Sequence, residues 1–130
     1  MNRWRLLGLA SLLLVVLGIG GCFLFPNHPP VASFTVAPGD NPNDQMVAVL
    51  DASASSDPDG DQISRYMWSF GDDKVDFIEP ASYGSRTVFV PSITIRFPMQ
   101  GGYNVTLVVV DSRGGVSDPI SKTITVPVPK

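Results

Sequence analysis

Five aspartates fall within seventeen residues: Asp57, Asp59 and Asp61 alternate with Pro58, Gly60 and Gln62, and Asp72-Asp73 follow the next strand-like run. Carboxylates at this density do one of two things. They coordinate a hard divalent cation through oxygen, or they pair as acid and base around a glycosidic bond. The second needs a walled cleft, and these acids lie in turn-forming sequence of a chain of 130 residues. A serine hydrolase triad lacks its central part, because the sole histidine, His28, sits among prolines with no partner nearby in sequence and no Gly-x-Ser-x-Gly is present. No catalytic residue is expected, and His28 reads as a solvated linker residue.

The cation reading has its own rival. Asp57-Pro58-Asp59-Gly60 puts Asp at i, Pro at i+1 and Gly at i+3, the chemistry of a type I turn that stands without metal. An EF-hand is excluded: counting from Asp57, glycine arrives at position 4 instead of 6, and position 12 is Trp68 in place of a bidentate glutamate. Asp61 exceeds what the turn needs. Like charges about 6 Å apart repel by about 0.7 kcal/mol in water and by more at a protein surface.

The remaining reactive side chain is Cys22, the only cysteine. It closes "MNRWRLLGLASLLLVVLGIGGC", in which Arg3 and Arg5 precede an uncharged apolar run, the layout of a secretory signal. Ile19-Gly20-Gly21-Cys22 resembles the lipobox of bacterial lipoproteins. That resemblance implies a diacylglyceryl group on the Cys22 thiol, cleavage before Cys22, and acylation of the new amino group. Two or more chains anchor stably where one does not. The uncharged run from Leu6 to Phe25 is also long enough to span a bilayer uncleaved; in both readings the arginines hold the N-terminus inside and send the rest outward. Phe23, not aspartate, follows the cysteine, which resembles the pattern forwarded to an outer membrane where a cell has two. The expected organisation is a signal peptide over 1–21, a lipidated cysteine and Pro-rich tether over 22–30, and one domain over 31–127. A stiff tether of that length lifts a domain by about 20 Å at most.

The elements that must position the acids read as strands. Twelve prolines and twelve glycines mark many turns, and no window after residue 25 has a helical period. In "YMWSF", Tyr66, Trp68 and Phe70 fall two apart and share one face, which must be buried. "YNVTLVVVD" alternates likewise, with Tyr103, Val105, Leu107 and Val109 inward. "VASFTV" (31–36), "QMVAVLDAS" and "ISKTITV" (120–126) complete the clear strands. "RTVFV" and "ITIRF" are strand-like, "DDKVDFIEPASYG" is a long loop or short edge hairpin, and Gly101-Gly102 and Gly114-Gly115 read as hairpin turns. About seven strands around one tryptophan predict an all-β, immunoglobulin-like antiparallel sandwich. The net charge is −3 and the basic residues beyond position 20 are scattered, leaving no footprint for nucleic acid.

"NHPPVASF", "LDASASSDPDGDQISRYMWSFGDD" and "GGYNVTLVVVDSRGGVSD" together resemble the PKD domain, a polycystin-type immunoglobulin-like module of cell-surface and secreted proteins. Asp51 to Ser53, Asp57, Asp59, Gly60, Tyr66, Trp68 and Phe70 to Asp72 match its most specific phrase. Asp73 stands where the family has glycine, and 74–98 is longer than usual. The resemblance implies a spacer, an adhesive surface or a substrate-contacting accessory. Some members bind calcium at this end of the sandwich; the matching positions are Ser56, Asp57, Asp59 and Asn27, with Asp61 and Asp72 as further candidates. Two functional expectations follow. The domain contacts a protein or glycan through an exposed face that includes Tyr83, Phe89 and Phe97, or it is a structural spacer, with calcium or without.

Overall fold

The computed structural model describes residues 25–71, 74–79 and 86–130. Cys22, Asp72 and Tyr83, together with the expected signal peptide, lie outside the described residues. Among the described residues eight strands form: β1 Thr35–Pro38, β2 Val47–Asp51, β3 Ile63–Ser69, β4 Asp76–Glu79, β5 Thr87–Val88, β6 Ser92–Arg96, β7 Gly101–Asp111 and β8 Ile120–Val126. They make two antiparallel sheets, β1-β2-β6-β4 and β5-β3-β7-β8. The first has the ABED order of an immunoglobulin sandwich and β3-β7-β8 the CFG order, with the two-residue β5 added at the edge.

The core lies between the sheets and follows the alternation in the sequence. Tyr66, Trp68 and Phe70 are buried from β3, and Tyr103, Val105, Leu107 and Val109 from β7. Leu50, Ile93 and Ile95 face them from the other sheet. Fully burying one such side chain contributes about 1.5–3 kcal/mol. Trp68 meets the edge of Phe34 at 5.2 Å and 83°, and Phe70 meets Phe77 at 5.5 Å, geometries that add about 0.5–1.5 kcal/mol each. Tyr103 stacks on Phe97 at 4.5 Å and donates its hydroxyl proton to the Met99 carbonyl at 2.9 Å. That is the tyrosine corner of immunoglobulin-like domains, which fixes the turn into β7.

Several expectations need correction. Residues 31–34 are not laddered: Val31 bridges Ser56, and Ser55 Oγ both accepts from the Ser33 N–H and donates to its carbonyl, so a turn holds this segment until β1 begins at Thr35. Part of "DDKVDFIEPASYG" is strand β4, which caps the sheet edge by pairing with β6. "RTVFV" yields only Thr87–Val88. Gly101 and Gly102 belong to β7, opposite Val126 and Thr125, rather than to a turn. Phe97 is buried, because it continues the inward parity of Ile93 and Ile95; it is not part of an exposed face.

β3 and β7 are antiparallel with Ile63 opposite Asp111, so the end of β7, the start of β3 and the turn after β2 meet at one pole. The acids lie there. Met99, Gly101 and Val126 lie at the other pole.

Candidate functional site: an acidic pole and an open sheet face

Asp57 makes the turn by itself. Its carbonyl accepts from the Gly60 N–H at 3.1 Å, and its Oδ1 accepts from the backbone of Asp59 at 2.8 Å and of Asp61 at 3.2 Å. Gly60 has φ +82°, a left-handed conformation that a side chain resists. The turn thereby gathers its three carboxylates: oxygens of Asp57, Asp59 and Asp61 lie within 4.8 Å of one another.

Two of the three carboxylates have side-chain partners from outside the turn. His28 donates to Asp59 twice, from its backbone N–H at 2.6 Å and from ring Nδ1 at 2.8 Å. The backbone bond, with the ring bond behind it, holds the Asp59 carboxyl below the usual carboxylate range. His28 is therefore a fixed partner of the acid turn and not a solvated linker residue. Arg113 Nη1 faces Asp61 Oδ2 at 3.4 Å, and its Nη2 donates to the Phe25 carbonyl at 3.1 Å.

Asp111 is the functional-site residue that the sequence reading missed. It is 2% exposed at the end of β7, accepts at Oδ1 from the N–H groups of Arg113 (2.7 Å) and Gly115 (2.9 Å), and accepts at Oδ2 from the Asn27 side chain at 3.0 Å. Burial is the largest single influence and pushes its carboxyl up. The bonds from Asn27, Gly115, Arg113 and Gly114 together outweigh it and hold the group below its ordinary value. The visible signal was an aspartate closing an apolar strand two residues before Arg113-Gly114-Gly115.

Of the six cation candidates, the structure brings Asn27, Ser56, Asp57, Asp59 and Asp61 to this pole; Asp72 lies outside the described residues. Ser56 engages both backbone groups with Val31, at 3.1 and 2.7 Å. Asn27 Oδ1 and Asp57 Oδ2 are buried acceptors with no hydrogen-bond donor. An orphaned oxygen within the carboxylate trio and a second on Asn27 at the same pole suit a hard, oxygen-seeking cation, so the residues fit calcium. The same structure shows that the turn closes through its own N–H groups.

A second feature is the outward side of β5-β3-β7-β8. Arg65 and Met67 face out from β3, with Met67 opposite Val108 and Thr87. Phe89, just after β5, is 75% exposed at the margin of that face. Shallow grooves occur elsewhere; one of about 320 Å³ runs between Val36 of β1 and Lys122–Thr125 of β8. Lys122 lies 4.9 Å over the Phe34 ring and donates to its carbonyl, so its charge is already engaged.

Fold and pole together define an immunoglobulin-like β-sandwich with an acidic interstrand turn. The PKD domain family model matches residues 27–128, and the chain belongs to that family. PKD domains are non-catalytic binding or spacer modules. An uncharacterized protein of Clostridium acetobutylicum is 36% identical over 104 residues, 77% of this chain and 10% of the relative, so the chain spans about a tenth of that protein. Among solved structures, one described as the structural basis for promiscuous specificity of carbohydrate-binding modules from the β-sandwich superfamily is 32% identical (TM-score 0.59), covering 78% of this chain and 35% of that one. The PKD1 domain of the Vibrio cholerae metalloprotease PrtV is 27% identical (TM-score 0.54; 76% and 98% covered). The PKD1 domain of Vibrio anguillarum Epp, 22% identical (TM-score 0.56; 80% and 100% covered), shares the fold.

Proposed function

We propose that the protein is an extracytoplasmic lipoprotein, held to the membrane by acyl groups on Cys22, whose PKD sandwich binds carbohydrate or protein through the outward face of β5-β3-β7-β8. The observation that carries the binding reading is Phe89, 75% exposed just after β5, the strand that pairs with β3, from which Arg65 and Met67 face outward. A planar aromatic and a cationic side chain provide stacking and hydrogen-bond donors, which suit a sugar ring. Likeness to the carbohydrate-binding-module structure supports glycan over protein. In a cell with two membranes the outer one is the destination. No nucleic acid partner and no catalytic role are part of the reading.

The test is affinity electrophoresis of residues 25–130 in gels containing soluble polysaccharides, with sedimentation on peptidoglycan. Wild type should be retarded by at least one, and Phe89→Ala should migrate freely with an unchanged melting temperature. No retardation by any of them would leave the second reading, a structural spacer stabilised by calcium. That reading is favoured by the orphaned acceptors of Asn27 and Asp57, with Ser56, Asp59, Asp61 and Asp72 completing the set. Labelled fatty acid entering the wild type but not Cys22→Ser tests the anchor.

A further inference from the structure

The Pro-rich segment before the domain reads as a spacer, yet the structure fastens it down. Arg113 holds the Phe25 carbonyl, Asp111 holds the Asn27 side chain, Asp59 holds both His28 donors, and Pro30 is buried. From Phe25 onward the chain follows the surface of the sandwich. A lipidated Cys22 is three residues from that first fastened point, a span of at most about 11 Å for extended chain.

The geometry points to a membrane-apposed surface: the pole built from Phe25, the Asp57–Asp61 turn and the turn from Arg113 to Val116 seats on the bilayer that holds the Cys22 lipids, with the Phe25 ring in the interfacial layer. This rests on the lipidation reading above. Phe25 is 75% exposed, and Val31 and Val116 are further exposed apolar side chains at the same pole. The nearest apolar medium for a bare ring within about 11 Å of acyl chains is the membrane boundary itself. The acid trio opposes an anionic surface over about one Debye length, 10 Å at 0.1 M salt, so the seat is tighter on zwitterionic than on anionic lipid. Met99, at the far pole, then stands off by the length of the eleven-residue β7, about 35 Å.

The experiment uses the lipidated protein carrying Phe25→Trp in phosphatidylcholine vesicles with brominated acyl chains. Cleavage removes Trp4, and the other tryptophan, Trp68, is buried at 3% exposure. Bromines near the headgroups should quench the introduced indole about twofold more than bromines deep in the chains. A flexible Gly-Ser spacer inserted between Cys22 and Phe25 should preserve this if the surface binds lipid by itself, whereas Arg113→Ala combined with the spacer should abolish it. A second readout is energy transfer from a dye on Met99→Cys to labelled headgroups, expected to be weak in the seated protein and to strengthen in the doubly altered one, where the released domain tumbles and brings Met99 closer to the surface. Lipidated protein that floats with vesicles but shows no quenching overturns the proposal. Protein that neither floats nor carries acyl mass overturns the lipidation reading, and this one with it.

Discussion

The Asn27 side-chain amide donates to Asp111 Oδ2 at 3.0 Å, joining residues 84 positions apart. This bond closes the N-terminal segment onto the end of the longest strand. Gly115 lies against it: a Cβ there would come within 2.2 Å of Asp111 Oδ2 and 2.6 Å of Asn27 Nδ2. Gly115→Ala should therefore cost about 1–3 kcal/mol, as overpacking does. Gly102→Ala, whose added carbon meets nothing closer than 3.8 Å, should cost far less. Urea unfolding of the two variants decides, and equal midpoints would mean that the pocket around Asp111 yields freely.

Acid should loosen the same pole. Asp59 and Asp111 both have carboxyls held below their ordinary values in the folded state. A depressed folded pKa binds fewer protons than the unfolded chain, so its stabilisation is complete above the unfolded value of about 3.9 and is lost as pH falls through the folded value. Melting temperature should be flat from neutral pH to about 5 and fall below 4. In Asp111→Ala it should start several degrees lower and fall less steeply with acid; a slope equal to the wild type's would remove Asp111 from the account.

Calcium should raise the melting temperature. At a hundredfold excess over its dissociation constant a ligand of the native state adds about 2.7 kcal/mol. Asp57→Asn keeps an oxygen for the N–H groups of Asp59 and Asp61 but removes the charge, so calcium-free stability should stay close to wild type while the calcium increment shrinks. No increment in the wild type would return the cluster to being a turn.

Trp68 and Phe89 should separate stability from binding. Trp68→Ala opens a cavity in the core and should cost about 3–5 kcal/mol. Phe89→Ala changes an exposed ring and should stay within about 0.5 kcal/mol of wild type while weakening any glycan contact. Thermal melts of both, beside the gel assay, check the pair.

What the sequence made legible was periodicity. Tyr66, Trp68 and Phe70, and the alternation from Tyr103 to Val109, placed two central strands because side chains two apart must share a face. Ile93, Ile95 and Phe97 carried the same signal, and taking Phe97 for an exposed residue ignored it. The partnerships of Asn27 with Asp111, His28 with Asp59 and Arg113 with Phe25 were not legible, because each spans at least 31 residues and is made by the way two loops meet. β4 was missed for another reason. "DFIE" has no clear two-residue pattern, and its strand character comes from the open edge of β6 beside it.

The segment around Asn27 and the last rung of β8 leave the sandwich at opposite poles. Tension applied along the chain therefore runs lengthwise through the domain. β8 would have to slide along β7 with all the pairs from Gly101–Val126 to Leu107–Ile120 resisting together, instead of peeling one at a time. In mechanical terms the module is a shear-loaded link.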